Sequence, residues 1–171
     1  MIHYTSGYLC APIPASLANT LELPQMVTHN TDPNRTAYTI TVDAAEGVTT
    51  GISAKDRSTT CRTLASEGVK ATDFRRPGHV VPLRAVEGGV RKRQGHTEAA
   101  VDFCQMAGLE PVGVIAELVE EGGVGAEGGV ESWKGEGMMK RDECLAFGKK
   151  WGIKVVTIEG MIEHLNGEGR D

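Results

Sequence analysis

The densest run of reactive side chains is Arg91-Lys92-Arg93-Gln94-Gly95-His96-Thr97-Glu98. A helix beginning near Thr97 directs unpaired N–H groups and the positive end of its dipole at whatever precedes it, and an arginine just ahead completes a phosphate site. Gly95 lets a ligand approach the backbone closely. His96 has the chemistry to ligate a divalent metal through a neutral ring nitrogen, or to carry protons near neutral pH. A solvated basic turn leading into a capped helix accounts for the same residues without any ligand.

Other candidates lie along the chain. Glu117 interrupts an apolar run, where an unpaired carboxylate is costly, so it reads either as a general acid/base or hydroxyl-holding group, or as a strand-end glutamate reaching solvent. The stretch from Glu46 to Arg57 is rich in Gly, Ser and Thr. Such a link between a strand and a helix binds phosphate through N–H and hydroxyl groups, or simply turns and caps; it lacks the GKS or GKT ending of a Walker loop. His79 follows the rigid turn Arg75-Arg76-Pro77-Gly78 and is either a proton carrier or an ordinary hydrogen-bonding histidine. Cys10 reads most simply as a small core residue.

The elements that must position these groups follow from periodicity. Tyr38, Ile40 and Val42 alternate with Thr39, Thr41 and Asp43, predicting a strand. A helix is expected over 58–67, capped by Asp56 or Ser58 and stopped by Gly68. The proline inside Val80-Val81-Pro82-Leu83 predicts an edge or bent strand. Ala100, Val101, Cys104 and Ala107 have helical spacing over 97–107, ended by Gly108. Residues 112–119 predict a buried central strand carrying Glu117, and 140–150 a helix stopped near Gly152. A strand over 154–156 and a last helix from Thr157 complete an α+β pattern: a mixed sheet packed with helices in one domain. The Gly- and Glu-rich stretch 120–138 predicts a mobile surface loop, and the tail from Asn166 a frayed end.

Lys and Arg number 18 against 23 Asp and Glu, so a general phosphate-backbone binder is disfavoured and no nucleic-acid partner is expected. Cys10, Cys61, Cys104 and Cys144 show neither CxxC nor metal-ribbon spacing, which fits free thiols in a reducing compartment. With no apolar run near the roughly 20 residues of a membrane span and no signal-peptide pattern at the start, a cytoplasmic protein without membrane association is expected.

Several motifs together are specific: Asp43-Ala44-Ala45-Glu46-Gly47-Val48-Thr49-Thr50-Gly51-Ile52-Ser53-Ala54, then Asp56-Arg57, Arg76-Pro77-Gly78-His79-Val80, and Gly95-His96-Thr97-Glu98-Ala99. In this order, and from Tyr4-Thr5-Ser6-Gly7 to Val156-Thr157-Ile158-Glu159, the chain resembles the 3,4-dihydroxy-2-butanone 4-phosphate synthases of riboflavin biosynthesis. The resemblance implies a lyase that converts D-ribulose 5-phosphate to L-3,4-dihydroxy-2-butanone 4-phosphate and formate, using magnesium, with manganese as the alternative ion. It implies a homodimer with active sites near the subunit interface. Carried over by motif, His96 is a metal ligand, Arg93, Gln94, Gly95, His96, Thr97 and Thr50 are substrate contacts, Glu117 engages the sugar, His79 acts across the interface and Cys10 lines the pocket. The second metal ligand is a glutamate in an acidic loop that family members carry ahead of the point matching Met1. Residues 1–171 are therefore expected to form the family's domain without its N-terminal strand, helix and acidic loop. The alternative is an inactive fragment or pseudoenzyme retaining the dimerisation surface and sugar-phosphate pocket.

Overall fold

The computed structural model describes residues 1–121 and 134–167. In chain order the regular elements are β1 (Cys10–Pro14), α1 (Ala15–Thr20), β2 (Val42–Ala44), α2 (Ala54–Leu64), β3 (Phe74–Ala85), α3 (His96–Met106), β4 (Val119–Glu121), β5 (Lys134–Met138), α4 (Arg141–Trp151) and α5 (Ile158–Gly167). The class is α+β, as expected. The elements fall into two compact units, one comprising Leu9–Ile115 with the stretch from Ile158, the other Met1–Tyr8 with 116–157.

In the larger unit β3 is central, parallel to β1 and antiparallel to β2. Of the two expectations for 80–83, an edge strand or a bent one, the edge reading is overturned: these residues belong to a 12-residue central strand. Its prolines are tolerated because their missing N–H groups fall where pairing is already incomplete. Thr39 N donates to Pro82 O at 3.0 Å, but Pro82 has no N–H to return, so residues 38–39 form isolated bridges and the regular β2 begins only at Val42. The strand expected over 38–43 is displaced for this reason.

Proline shapes β1 in the same way. Ile115 and Cys10 exchange backbone hydrogen bonds, and Gly113 N donates to Pro12 O, yet Pro12 offers nothing back. The expected central strand over 112–119 is reduced to a bridge at Ile115, with β4 starting at Val119.

Helix α2 starts four residues before the expected position, because Ser53 rather than Asp56 or Ser58 is the cap, its hydroxyl accepting from Asp56 N at 3.0 Å. Helix α3 follows its predicted span closely, and Gly108 takes the left-handed conformation just beyond it.

The main core joins Ala11, Ile13, Leu21, Leu23, Val42, Leu64, Phe74 and Val80, drawn from both sheet and helices. A second cluster of Val90, Ala99, Met161 and Leu165 holds α5 on α3.

In the smaller unit α4 ends at Gly152 in the left-handed region, as expected. Tyr4, Phe147 and Trp151 form an aromatic group with ring centroids 5.0–6.3 Å apart. Val155 packs against Gly148, but residues 154–156 have no strand partner among the described residues, so the expected strand is absent there. Part of the expected loop 120–138 is ordered: β4 and β5 pair antiparallel at its ends, and 122–133 lie outside the described residues.

Candidate active site

The pairing of β2 with β3 jumps from Val42 opposite Val80 to Asp43 opposite Arg75, leaving Arg76-Pro77-Gly78-His79 as a bulge. Arg76 anchors it, Nη1 donating to Ala71 O and Phe74 O and Nη2 to Leu21 O at 2.7 Å. Gly78 donates to Thr41 Oγ1 at 2.9 Å, and a β-carbon on it would overlap the backbone of Val42 and Asp43. The absence of a side chain is what lets the two segments meet.

Their meeting brings His79 onto Asp43. The His79 backbone N–H donates to Asp43 Oδ1 at 2.8 Å, and ring Nδ1 lies 2.7 Å from Oδ2. A carboxylate facing Nδ1 assigns the proton to that nitrogen and leaves Nε2 as an acceptor. The Asp43 side chain is 10% exposed and that of His79 39%, so the imidazole is oriented from a buried side while remaining accessible. An imidazole held in this way has a free ring nitrogen that can accept a proton.

The link before α2 packs against this pair. Thr49 Oγ1 and Gly51 N donate to Asp56 Oδ2 at 2.8 and 3.0 Å. The Thr49 hydroxyl is the main cause holding the Asp56 carboxyl below its ordinary value, against the opposing effect of burial. Thr50, between the two donors, is exposed.

At the start of α3, Glu98 is fully buried and accepts from Arg93 Nη1 at 2.6 Å and Val86 N at 2.9 Å. Arg93 Nη2 donates to Asn34 O at 2.9 Å and, more weakly, to Thr36 Oγ1 at 3.4 Å. The arginine expected to hold phosphate therefore neutralises a buried carboxylate and ties a loop to the helix. Gly95 is needed for this closeness, since a β-carbon there would overlap Arg93 Nη1. As N-cap it offers no side chain, and the amides of His96, Thr97 and Glu98 have no acceptor among the described residues. Amides left free at a helix start are able to receive an anion. His96 and Gln94 are exposed, and Thr97 is buried.

Cys10 is buried with Val81 and Leu83. Glu117 corrects the expectation of a buried acid: it lies in the smaller unit, its side chain is exposed, and its carbonyl accepts from Ser6 N at 2.9 Å. Because the strand around it is not formed, nothing forces the carboxylate inward. Asp43, Gly51, Asp56 and Glu98 have defined places in the site, but the sequence reading gave none of them a part in the chemistry, Asp56 serving there only as a candidate helix cap. The Asp43-to-Ala54 and Gly95-to-Ala99 motifs contain three of them and the Asp56-Arg57 pair the fourth.

Among the described residues no group of three or more His, Cys, Asp or Glu is placed to hold a metal ion. His96 is suited to supply one ligand, but the residues present do not make a complete site for magnesium.

Comparison with known proteins agrees with the motifs. The family model for 3,4-dihydroxy-2-butanone 4-phosphate synthase matches residues 1–164. The enzyme of that name from Pyricularia oryzae is 52% identical over 166 residues, covering 96% of this chain and 70% of the relative. The one from Schizosaccharomyces pombe is 50% identical over 169 residues, covering 98% and 76%. A crystal structure of a 3,4-dihydroxy-2-butanone 4-phosphate synthase in complex with two magnesium ions superposes with a TM-score of 0.91 at 51% identity, over all of this chain and 79% of the other. A cation-free structure of the same kind of enzyme gives 0.87 at 49% identity, covering 98% and 76%. Agreement at this level in motif order, identity and backbone means that the chain belongs to the 3,4-dihydroxy-2-butanone 4-phosphate synthase family.

Proposed function

We propose that this chain acts as a 3,4-dihydroxy-2-butanone 4-phosphate synthase, taking D-ribulose 5-phosphate to L-3,4-dihydroxy-2-butanone 4-phosphate and formate in riboflavin biosynthesis. The observation that carries the reading is the Asp43–His79 pair, a carboxylate-oriented imidazole built by the bulge of the Arg76-Pro77-Gly78-His79 motif. His79 Nε2 accepts the proton from a carbon next to the ketose carbonyl, and Asp43 stabilises the imidazolium that results. Rearrangement of the enediolate expels the C1 hydroxyl as water, and one water is taken up again when the displaced carbon departs as formic acid, so the products together contain all the atoms of the substrate.

The free amides of α3 receive the phosphate, and Thr97, Gln94 and Gly95 shape that end. Arg93 contributes its charge from its place beside Glu98. Thr50 and Glu117 contact sugar oxygens, and Cys10 lines the pocket wall. The cation is Mg2+, with Mn2+ as the alternative, and His96 supplies one ligand. The working form is a homodimer to which His79 contributes across the interface. No helix among the described residues is long and apolar enough to cross a membrane; a cytoplasmic location and the absence of a nucleic-acid partner complete the proposal, the latter resting on the net charge of −5.

The test is formate release from ribulose 5-phosphate by the folded chain with magnesium present. Turnover is expected, with His79→Ala lowering kcat by about 10²- to 10⁴-fold. The lack of a complete metal-ligand set among the described residues favours a second reading, a non-catalytic chain that retains the sugar-phosphate pocket. Substrate binding by calorimetry without formate would select that reading, and neither binding nor formate from a folded protein would overturn both.

A further inference from the structure

Asp56 is 2% exposed and belongs to α2, the helix that precedes the strand whose bulge carries His79, yet its contacts converge on that histidine. Its Oδ2 holds Thr49 Oγ1 and Gly51 N–H together. Gly51, at φ +90, lies so close to the imidazole pair that a β-carbon would overlap Asp43 Oδ2 and stand 2.6 Å from His79 Nδ1. The Asp56 carbonyl accepts from the fully buried Thr60 hydroxyl at 3.1 Å, and the same hydroxyl oxygen accepts from Ala44 N at 2.9 Å, next to Asp43 in β2. One aspartate thus grips both the loop that covers the pair and, through Thr60, the strand that carries the pair's acid.

From this geometry we infer that Asp56 is a positioning residue for the reaction: by clamping Thr49 and Gly51 it keeps the backbone of Gly51 packed on the Asp43–His79 hydrogen bond, excludes water from it, and so holds His79 in the tautomer whose Nε2 can accept a proton. The inference rests on the proposed role of that pair. With the clamp gone, water competes for Asp43 Oδ2 and for Nδ1–H, the ring is free to exchange tautomers, and the fraction ready to act as base falls. Substrate capture at the α3 amides is separate chemistry, so the loss belongs in kcat and not in KM.

The experiment is ¹⁵N NMR of the imidazole rings in the full chain, with the His79 signals assigned through His79→Gln, alongside amide exchange at Gly51 and steady-state formate kinetics. The unmodified chain is expected to show His79 mostly as Nδ1–H. Asp56→Ala should give a mixed tautomer population, at least tenfold faster exchange at Gly51 and a tenfold or greater fall in kcat at unchanged KM, while Asp56→Asn, which keeps an acceptor oxygen, restores most of each. If Asp56→Ala does not fold, Thr49→Val carries the test, since it removes one donor to the clamp and leaves the helix cap intact; the same tautomer shift is expected, smaller in size. A folded Asp56→Ala or Thr49→Val chain whose His79 ring stays Nδ1–H would overturn the inference, as would an unmodified chain with the other tautomer. Because the NMR readout needs no turnover, a tautomer shift in a chain that releases no formate would uphold the positioning role and sink the proposed function instead.

Discussion

Cys61 illustrates how burial alone changes a side chain's chemistry. It packs on the main core from α2, and loss of hydration pushes its thiol up to about 11, against the lowering effect of Arg57. Because only the thiolate reacts, alkylation of Cys61 by iodoacetamide near pH 8, followed by mass spectrometry, is expected to be much slower than that of free cysteine. The folded value lies above the ordinary thiol value of 9.0, so the contribution to stability is full below pH 9.0 and is lost as pH rises towards 11. Asp56 has the opposite sign: its folded value is lowered from 3.8, so its contribution is present above that value and disappears as acid protonates the folded state. Glu98→Ala should cost about 3 kcal/mol in urea unfolding, because it removes the partner of Arg93 and the acceptor for Val86 N from a fully buried position. His79, His96 and the basic cluster were recognisable from residue type and spacing, whereas Asp43 lies 36 residues from His79 and no local pattern could pair them.

At the scale of elements, α2 to α5 formed near their expected places, although nothing in the pattern announced α1, whereas of the expected strands only that over 80–83 formed in place. Helix α3 carries its own hydrogen bonds, so apolar spacing and a following glycine delimit it. A strand exists only if another segment answers its N–H and C=O groups, and the prolines at 12 and 82 remove that answer at positions invisible to alternation. Glu117 follows from the same cause, being exposed because the strand expected to bury it does not form. The bulge before Val80 depends on Gly78, where backbone crosses backbone and no side chain has room. Gly78→Ala is therefore expected to destabilise the chain by about 2 kcal/mol or more and to separate His79 from Asp43, measurable as a lowered unfolding midpoint together with loss of the Nδ1–H signature.

For the whole molecule, association is the property to test. Trp151, Ile153, Val155 and Val156 of the smaller unit are 45–61% exposed, a run of large apolar residues that a monomer would leave in water. Sedimentation equilibrium is expected to give twice the chain mass; a monomer at micromolar concentration would remove the homodimer, and with it the contribution of His79 across an interface, from the proposal. The sequence by itself determined the family, the α+β class and four of the five helices among the described residues, because motif order and helical periodicity are written in neighbouring residues. Only the tertiary structure decided that Arg93 serves a buried glutamate, that His79 is turned by Asp43, and that Asp56 closes a loop over both, because hydrogen bonds between distant segments depend on register, and register here is set by where prolines and Gly78 allow two backbones to meet.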